Sequence, residues 1–454
     1  MWRSRFLASG PLLSVALAVA GCSGSSSTPV ADAGADIAST DRGPVADVAA
    51  DAPIADGRCL RTSGRPAEHT WARFDGPRAP VEVYRDALGV PHLYAATDAD
   101  LFFASGYMQA VDRLFQMELM RRGAAGTLAE VIGPEKLRQD QLVRLVDLPR
   151  WSRESTDRVQ RESPEVYALL VAWVAGVNRR VDEIRVGAVP LPPGFRRTEF
   201  DFMPARWTPD DPIAVSRLVL FQNANQLEYD ILASIVRRYV PQGAGLPIFQ
   251  SLNGSFILPE ELRPQTGVMS AAWPDAAPWP FPEDAARRMR SFSAQMAAFR
   301  SGGSNNWAVA ARHSANGRPL VAGDPHQPLH SPSVFWAQHM NSAEQGGSFD
   351  VMGFSFVGTP LVQLGHSRTV AWTATTSYPD MMDLFDVEVE ADRARFGEAY
   401  EPVRRCVERI AVRGREPVDY VVEEIPGRGV LLPADFTPVP LTGPGNRLML
   451  AWTG

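Results

Sequence analysis

The sequence predicts an α+β fold, with a mostly helical first part joined by a spacer to a sheet-rich second part. Three observations carry this. Apolar residues recur at three- and four-residue spacing around residues 103–120 and again after residue 208. From residue 304 onward the pattern changes to short β-rich segments separated by turns. Between them, residues 266–303 break the composition with a proline- and tryptophan-rich strip. With 454 residues, of which 45% are hydrophobic and 21% charged, the chain can bury a substantial core.

The elements follow in order. Arg3 and Arg5 precede an apolar run over residues 12–19 that ends in Val19, Ala20, Gly21 and Cys22. The run is short for a membrane span and reads as a secretion signal, residues 1–22. Its small residues resemble the lipobox of bacterial lipoproteins, which implies cleavage before Cys22 and lipidation of the thiol; an ordinary signal peptide cut nearby is the alternative. Ser23 after Cys22 points by the same resemblance to the outer membrane. The expectation is an exported, lipid-anchored protein on the periplasmic face or outer membrane, held to the membrane through Cys22. Residues 23–57 are almost all Ser, Ala, Asp, Pro and Gly and cannot offset their ordering entropy by burial, so they read as a flexible tether. Once Cys22 is lipidated, Cys59 and Cys406 remain, either as a disulfide or as two buried thiols.

Residues 58–265 form the helical part. Residues 81–84 alternate like a strand, Gly89, Val90 and Pro91 interrupt, and residues 92–95 resume. A helix follows, with Phe103, Tyr107, Val111, Leu114 and Glu118 on one face and Met117, Leu119 and Met120 widening it; these read as core, not as a cofactor box. A second helix begins at Thr208, where Pro209 suits the first turn and Asp210 and Asp211 favour the positive end of the dipole, and runs towards Leu220. Within the spacer, Met289, Phe292, Met296 and Phe299 mark an amphipathic helix. Strands are then expected over residues 307–311, 320–322, 334–340, 349–354, 361–364, 370–375 and 448–453. The net charge of -7, with no basic run, excludes a nucleic-acid footprint.

The chemistry centres on Gly302, Gly303 and Ser304, followed by Asn305, Asn306 and Trp307, with His326 twenty-two residues downstream in Asp324-Pro325-His326. Two glycines let the backbone bend until the Ser304 hydroxyl reaches its own preceding carbonyl. Attack there exchanges the Gly303–Ser304 amide for an ester, which water opens to leave a chain beginning at Ser304. A serine hydroxyl needs a base, and a freed α-amine, with an ordinary pKa of about 7.7–8.0, is suited to that role. On the tripeptide alone, an ordinary turn before a strand is the competing reading.

Ser304-Asn305-x-Trp307, Asp324-Pro325-His326, residues 353–360, Gly365-His366 and Ala371-Trp372-Thr373 resemble, in order and spacing, the penicillin acylase family of N-terminal nucleophile hydrolases, which includes cephalosporin and acyl-homoserine lactone acylases. Arg85-Asp86, residues 89–92, Gly106-Tyr107, Asp112-Arg113, residues 116–118, Arg121-Arg122, Gly126, residues 128–130 and Gly133 extend the resemblance upstream. It implies an αββα sandwich, cleavage between Gly303 and Ser304, and an α/β heterodimer acting on a small N-acyl substrate: a β-lactam side chain, an acyl-homoserine lactone or a lipopeptide. Ser304 would be the nucleophile, its amine the base, His326 its neighbour, the Thr376 N–H an oxyanion donor and Asn305 a loop holder. Gln327 and Leu364 would line the acyl pocket, where polar Gln327 departs from the apolar residue usual there. No cofactor is required for the chemistry; Asp380, Asp383 and Glu228 are the implied ligands of a structural calcium.

The resemblance also implies a longer β-chain than residues 304–454, with a second oxyanion donor, an Asn side chain, beyond Gly454. An incomplete β-chain, inactive by itself, is therefore expected: one lost donor costs about 10²–10³ in rate. Two other readings compete. A metal site could be drawn from Asp324, His326 and His330, but Pro325 and Pro328 oppose a helix there. A non-catalytic, lipid-anchored binding module is the alternative to the enzyme. No Gly-x-Ser-x-Gly elbow is present, with residues 353–357 nearest and failing at Val357.

Overall fold

A computed structural model describes residues 71–223, 304–327, 331–375, 381–434 and 445–452. Signal, tether and spacer lie outside the described residues, as do the helix expected at 289–299, Cys22, Cys59, Glu228, Gly303, His330, Thr376 and Asp380.

Strands β1 (Trp71–Asp75), β2 (Pro80–Arg85) and β3 (Pro91–Tyr94) form an antiparallel meander. Alternation in β2 turns Val81 and Val83 inward. Helix α1 (Asp98–Ala125) starts at Thr97, whose side chain accepts from the Asp100 N–H, and stops at left-handed Gly126. It is buried on more than one face, and Glu118, fully enclosed on it, is paired with Arg121 at 2.6 Å and Arg122 at 3.0 Å. Three helices missing from the expectation follow: α2 (Leu137–Leu145), α3 (Leu148–Glu162) and α4 (Pro164–Arg185). The helix expected from Thr208 is α5 (Asp210–Asn223), with Thr208 bonded to the Asp211 carboxylate.

Beyond Ser304 the described residues form strands and turns, with single 3₁₀ turns at Ala311–His313 and Ala343–Gln345. The hairpin β4 (Ser304–Val309) and β5 (Leu320–Pro325) stands by itself as a two-stranded sheet among the described residues. Then come β6 (Phe335–Asn341), β7 (Asp350–Phe356), β8 (Leu364–Ser367) and β9 (Ala371–Trp372). They continue the first meander into a seven-stranded sheet, order β1-β2-β3-β6-β7-β8-β9, in which β3 and β6 run parallel. A second seven-stranded sheet is antiparallel throughout, order β12-β11-β10-β16-β15-β14-β13. Its strands are β10 (Met382–Glu390), β11 (Arg393–Phe396), β12 (Ala399–Pro402), β13 (Arg404–Ile410), β14 (Val418–Ile425), β15 (Gly429–Leu431) and β16 (Asn446–Trp452). Of these, only β16 was expected. Cys406 is exposed on β13 rather than buried.

Each sheet has its own core. Helices α1 and α4 cover the first with Leu93, Leu101, Met117, Trp173 and Trp336. Helices α2, α3 and α5 cover the second with Leu142, Leu148, Leu218, Met382, Tyr420 and Leu450. Phe221 of α5 meets Trp452 of β16 edge-on at 5.1 Å.

Candidate active site

Ser304 opens β4, and antiparallel pairing with β5 sets what stands beside it. Ser304 lies opposite Pro325 and Asn305 opposite Asp324, so His326 follows directly after the partner of Ser304. A twenty-two-residue spacing in sequence thus becomes a neighbourhood at the open end of a hairpin. His326 Nε2 is 2.8 Å from Asp324 Oδ2 and 3.4 Å from Asn305 Nδ2. The shorter contact, with a carboxylate, sets a proton on Nε2. Asp324, expected as part of a motif and of the rival metal set, orients the histidine.

The sequence did not single out Thr375. Its hydroxyl is 2.7 Å from Ser304 Oγ and donates to the Ser304 carbonyl at 3.2 Å. One hydroxyl carries one proton, so while Thr375 donates to the carbonyl it accepts from Ser304 Oγ–H, and the serine rotamer is held from both ends. Residues 373–375 can lie across the hairpin because β5 has Gly323 there: a Cβ on it would fall 2.0 Å from Thr373 Oγ1. No local pattern links Thr375 to Ser304, 71 residues away; the tertiary fold brings them together.

The remaining expected residues are spread further. Gln327 is half-buried just past β5, its N–H on the Pro325 carbonyl at 2.9 Å. Leu364 is half-buried on β8 opposite Phe354. Next to it, Gly353 and Gly365 pair across β7 and β8, where a Cβ on Gly353 would lie 2.0 Å from the Leu364 carbonyl oxygen. Asp383 is exposed on β10, in the second sheet, opposite Ala451. Among the described residues no three His, Cys, Asp or Glu side chains converge on a metal site, and the third residue of the rival set, His330, lies outside them. Of the implied calcium ligands, Asp383 alone lies among the described residues.

Comparison with known proteins agrees with this arrangement of motifs. The family described as penicillin amidase matches residues 80–454. Penicillin acylase 2 proenzyme of Pseudomonas sp. (strain SE83) is 33% identical over 360 residues, covering 77% of this chain and 43% of that protein. Acyl-homoserine lactone acylase QuiP of Pseudomonas aeruginosa is 30% identical over 353 residues, covering 76% and 39%. Penicillin G acylase of Escherichia coli is 25% identical over 354 residues, covering 69% and 40%. The chain thus spans less than half the length of these relatives. Because the match runs from β2 through the Ser304 hairpin to the last described strand, the chain belongs to the penicillin amidase family.

Proposed function

We propose that this chain is the precursor of an amidohydrolase that cuts itself between Gly303 and Ser304 and then uses Ser304 on an N-acyl substrate. The observation that carries the reading is the hydroxyl of Ser304, the first residue of β4, gripped by Thr375 at 2.7 Å with His326 placed beside it by strand register.

In maturation, Ser304 Oγ attacks the Gly303 carbonyl carbon and the C–N bond breaks, freeing the α-amine, which takes the hydroxyl proton; water then hydrolyses the resulting ester to the Gly303 carboxylate and the Ser304 hydroxyl. In turnover that amine takes the Ser304 proton as Oγ attacks the substrate carbonyl, then passes it to the departing amine. The acyl-serine is opened by water activated by the same amine. The Thr376 N–H supplies an oxyanion donor, His326 and Asn305 brace the hairpin end, and Gln327 and Leu364 line the acyl pocket. Acyl-homoserine lactones are the favoured substrates over β-lactam side chains and lipopeptides, on the segments 349–353 and 371–373.

The reading extends to the whole protein. The first sheet with α1 and α4 on its face supplies one half of an αββα sandwich, and the β4–β5 hairpin starts the other. Trp307, Leu320 and Val321, exposed at 54%, 50% and 42%, suit that role. Export and lipid anchoring through Cys22 follow from residues 1–22. A calcium ion on Asp383 with Asp380 and Glu228 would brace the fold without entering the chemistry.

The test is the intact mass of the natural gene product, recovered from its own membranes and reduced. A chain starting at Ser304 is expected, together with hydrolysis of N-acyl-homoserine lactone. An uncut chain, with no amide hydrolysed, would overturn the proposal and leave the binding module in its place.

A further inference from the structure

Away from Ser304, two histidines face each other across the parallel join of the first sheet. His92 of β3 and His339 of β6 are register partners, with Nδ1 atoms 3.1 Å apart. The outer nitrogen of each ring meets a carboxylate: His92 Nε2 is 3.5 Å from Asp86 Oδ2, and His339 Nε2 is 3.2 Å from Asp350 Oδ1. All four side chains are largely shielded, at 17% and 27% exposure for His92 and Asp86 and 15% and 22% for His339 and Asp350.

Both carboxylates are already committed. Asp86 Oδ1 accepts the N–H groups of Leu88 and Val90, each at 2.9 Å. Asp350 Oδ2 accepts Arg368 Nε at 2.6 Å. Burial alone would raise both carboxyls, but these donors and the histidines outweigh it and hold both below the ordinary range. Neither therefore supplies a proton to the rings.

The proton count then decides the arrangement. Three contacts need three protons, and two neutral imidazoles carry two. The contact left without one is the longest, between His92 Nε2 and Asp86. Other groups facing the pair are Tyr84 from β2, Tyr94 from β3, Glu344 from the turn after β6, and Arg368 after β8. His339 resists charging, because burial and the neighbouring His92 both oppose it despite the Asp350 hydrogen bond.

We propose that His92 and His339 form a proton-sharing clamp between the segments before and after the spacer. At neutral pH, His92 donates through Nδ1 to His339, and His339 donates through Nε2 to Asp350. The third contact, His92 Nε2 to Asp86 at 3.5 Å, stands without a proton between its atoms. The two Nδ1 atoms, 3.1 Å apart, share a single proton. The clamp does not depend on the Ser304 chemistry.

The test is 15N NMR of the natural protein labelled at its histidines, of which residues 1–454 hold seven, with assignment by His92→Gln and His339→Gln. The expected neutral-pH spectrum has His92 as the Nδ1–H tautomer and His339 as the Nε2–H tautomer. Both rings as Nε2–H, with no proton between the two Nδ1 atoms, would overturn the clamp. Self-cleavage is read separately, by intact mass. Failure of cleavage leaves the spectroscopic arm intact and counts only against the Ser304 reading.

Discussion

Ser304 is held in place by contacts from two parts of the chain, and each has its own expected loss. Ser304→Ala removes the only hydroxyl the proposed chemistry uses, so both self-cleavage and amide hydrolysis should vanish; a mass spectrum of the variant should show the uncut chain. Thr375→Val keeps the shape and loses the 2.7 Å contact. A hydrogen bond of this kind is worth about 1 kcal/mol net, so kcat should fall roughly five- to tenfold with KM little changed, and Thr375→Ser should restore it. Equal kinetics for the Val and wild-type proteins would remove Thr375 from the site. Ser304, Asn305 and His326 were legible in the sequence, because their residue types and spacing carry a chemical logic. Thr375 was not, because a threonine beside another threonine has no chemical signature until a partner lies against it.

Among the helices, α1 and α4 cross where each has a glycine. A Cβ on Gly106 would fall 2.0 Å from the Trp173 carbonyl oxygen, and one on Gly176 would fall 1.9 Å from that of Phe103. Neither backbone can yield locally, so Gly106→Ala should cost at least ~3 kcal/mol, the upper end of overpacking, read as a fall in the denaturant midpoint. Helix α2 contributes a pH dependence. Asp140 is fully enclosed, accepting the N–H groups of Leu128 and Ala129 at 3.0 and 2.7 Å, and burial pushes its carboxyl up to about 6 against their pull. The folded state then binds the proton more tightly than the unfolded state. The resulting stabilisation is present below pH ~3.8 and is lost as the pH rises through about 6, a swing of ~3 kcal/mol. The melting temperature of wild type minus that of Asp140→Asn should therefore fall between about pH 4 and pH 7; a constant difference would mean that Asp140 stays in one protonation state throughout. Helices α2 to α4 escaped the sequence reading although α1 and α5 did not. Helix α3 is mostly polar and buries only Leu148, Ser152 and Thr156 along its length, so its apolar period is faint.

At the scale of the whole molecule, the segments before and after the spacer share one sheet and one core. Strands β1 to β3 precede it and β6 to β9 follow it. Polar contacts cross the same boundary: Ser105 donates to Gln338 at 2.8 Å and the Gly358 N–H donates to Gln109 at 2.7 Å, both buried, and Trp336 donates to Asp112 at 2.9 Å in a half-buried contact. Cleavage before Ser304 should thus leave two chains that migrate together in gel filtration and part only in denaturant; separation in plain buffer would show that the shared sheet is too weak to hold them. The sequence by itself determined the α+β class, the strand-rich character after residue 304, the family motifs and the identity of the candidate nucleophile. Those follow from local periodicity and from residue types whose chemistry is particular. Only the tertiary structure decided that β3 lies parallel to β6, that Thr375 touches Ser304, and that His92 faces His339 across 247 positions of chain. Strand partners are chosen by burial of whole faces against one another, and no stretch of sequence short enough to read by its period contains that information.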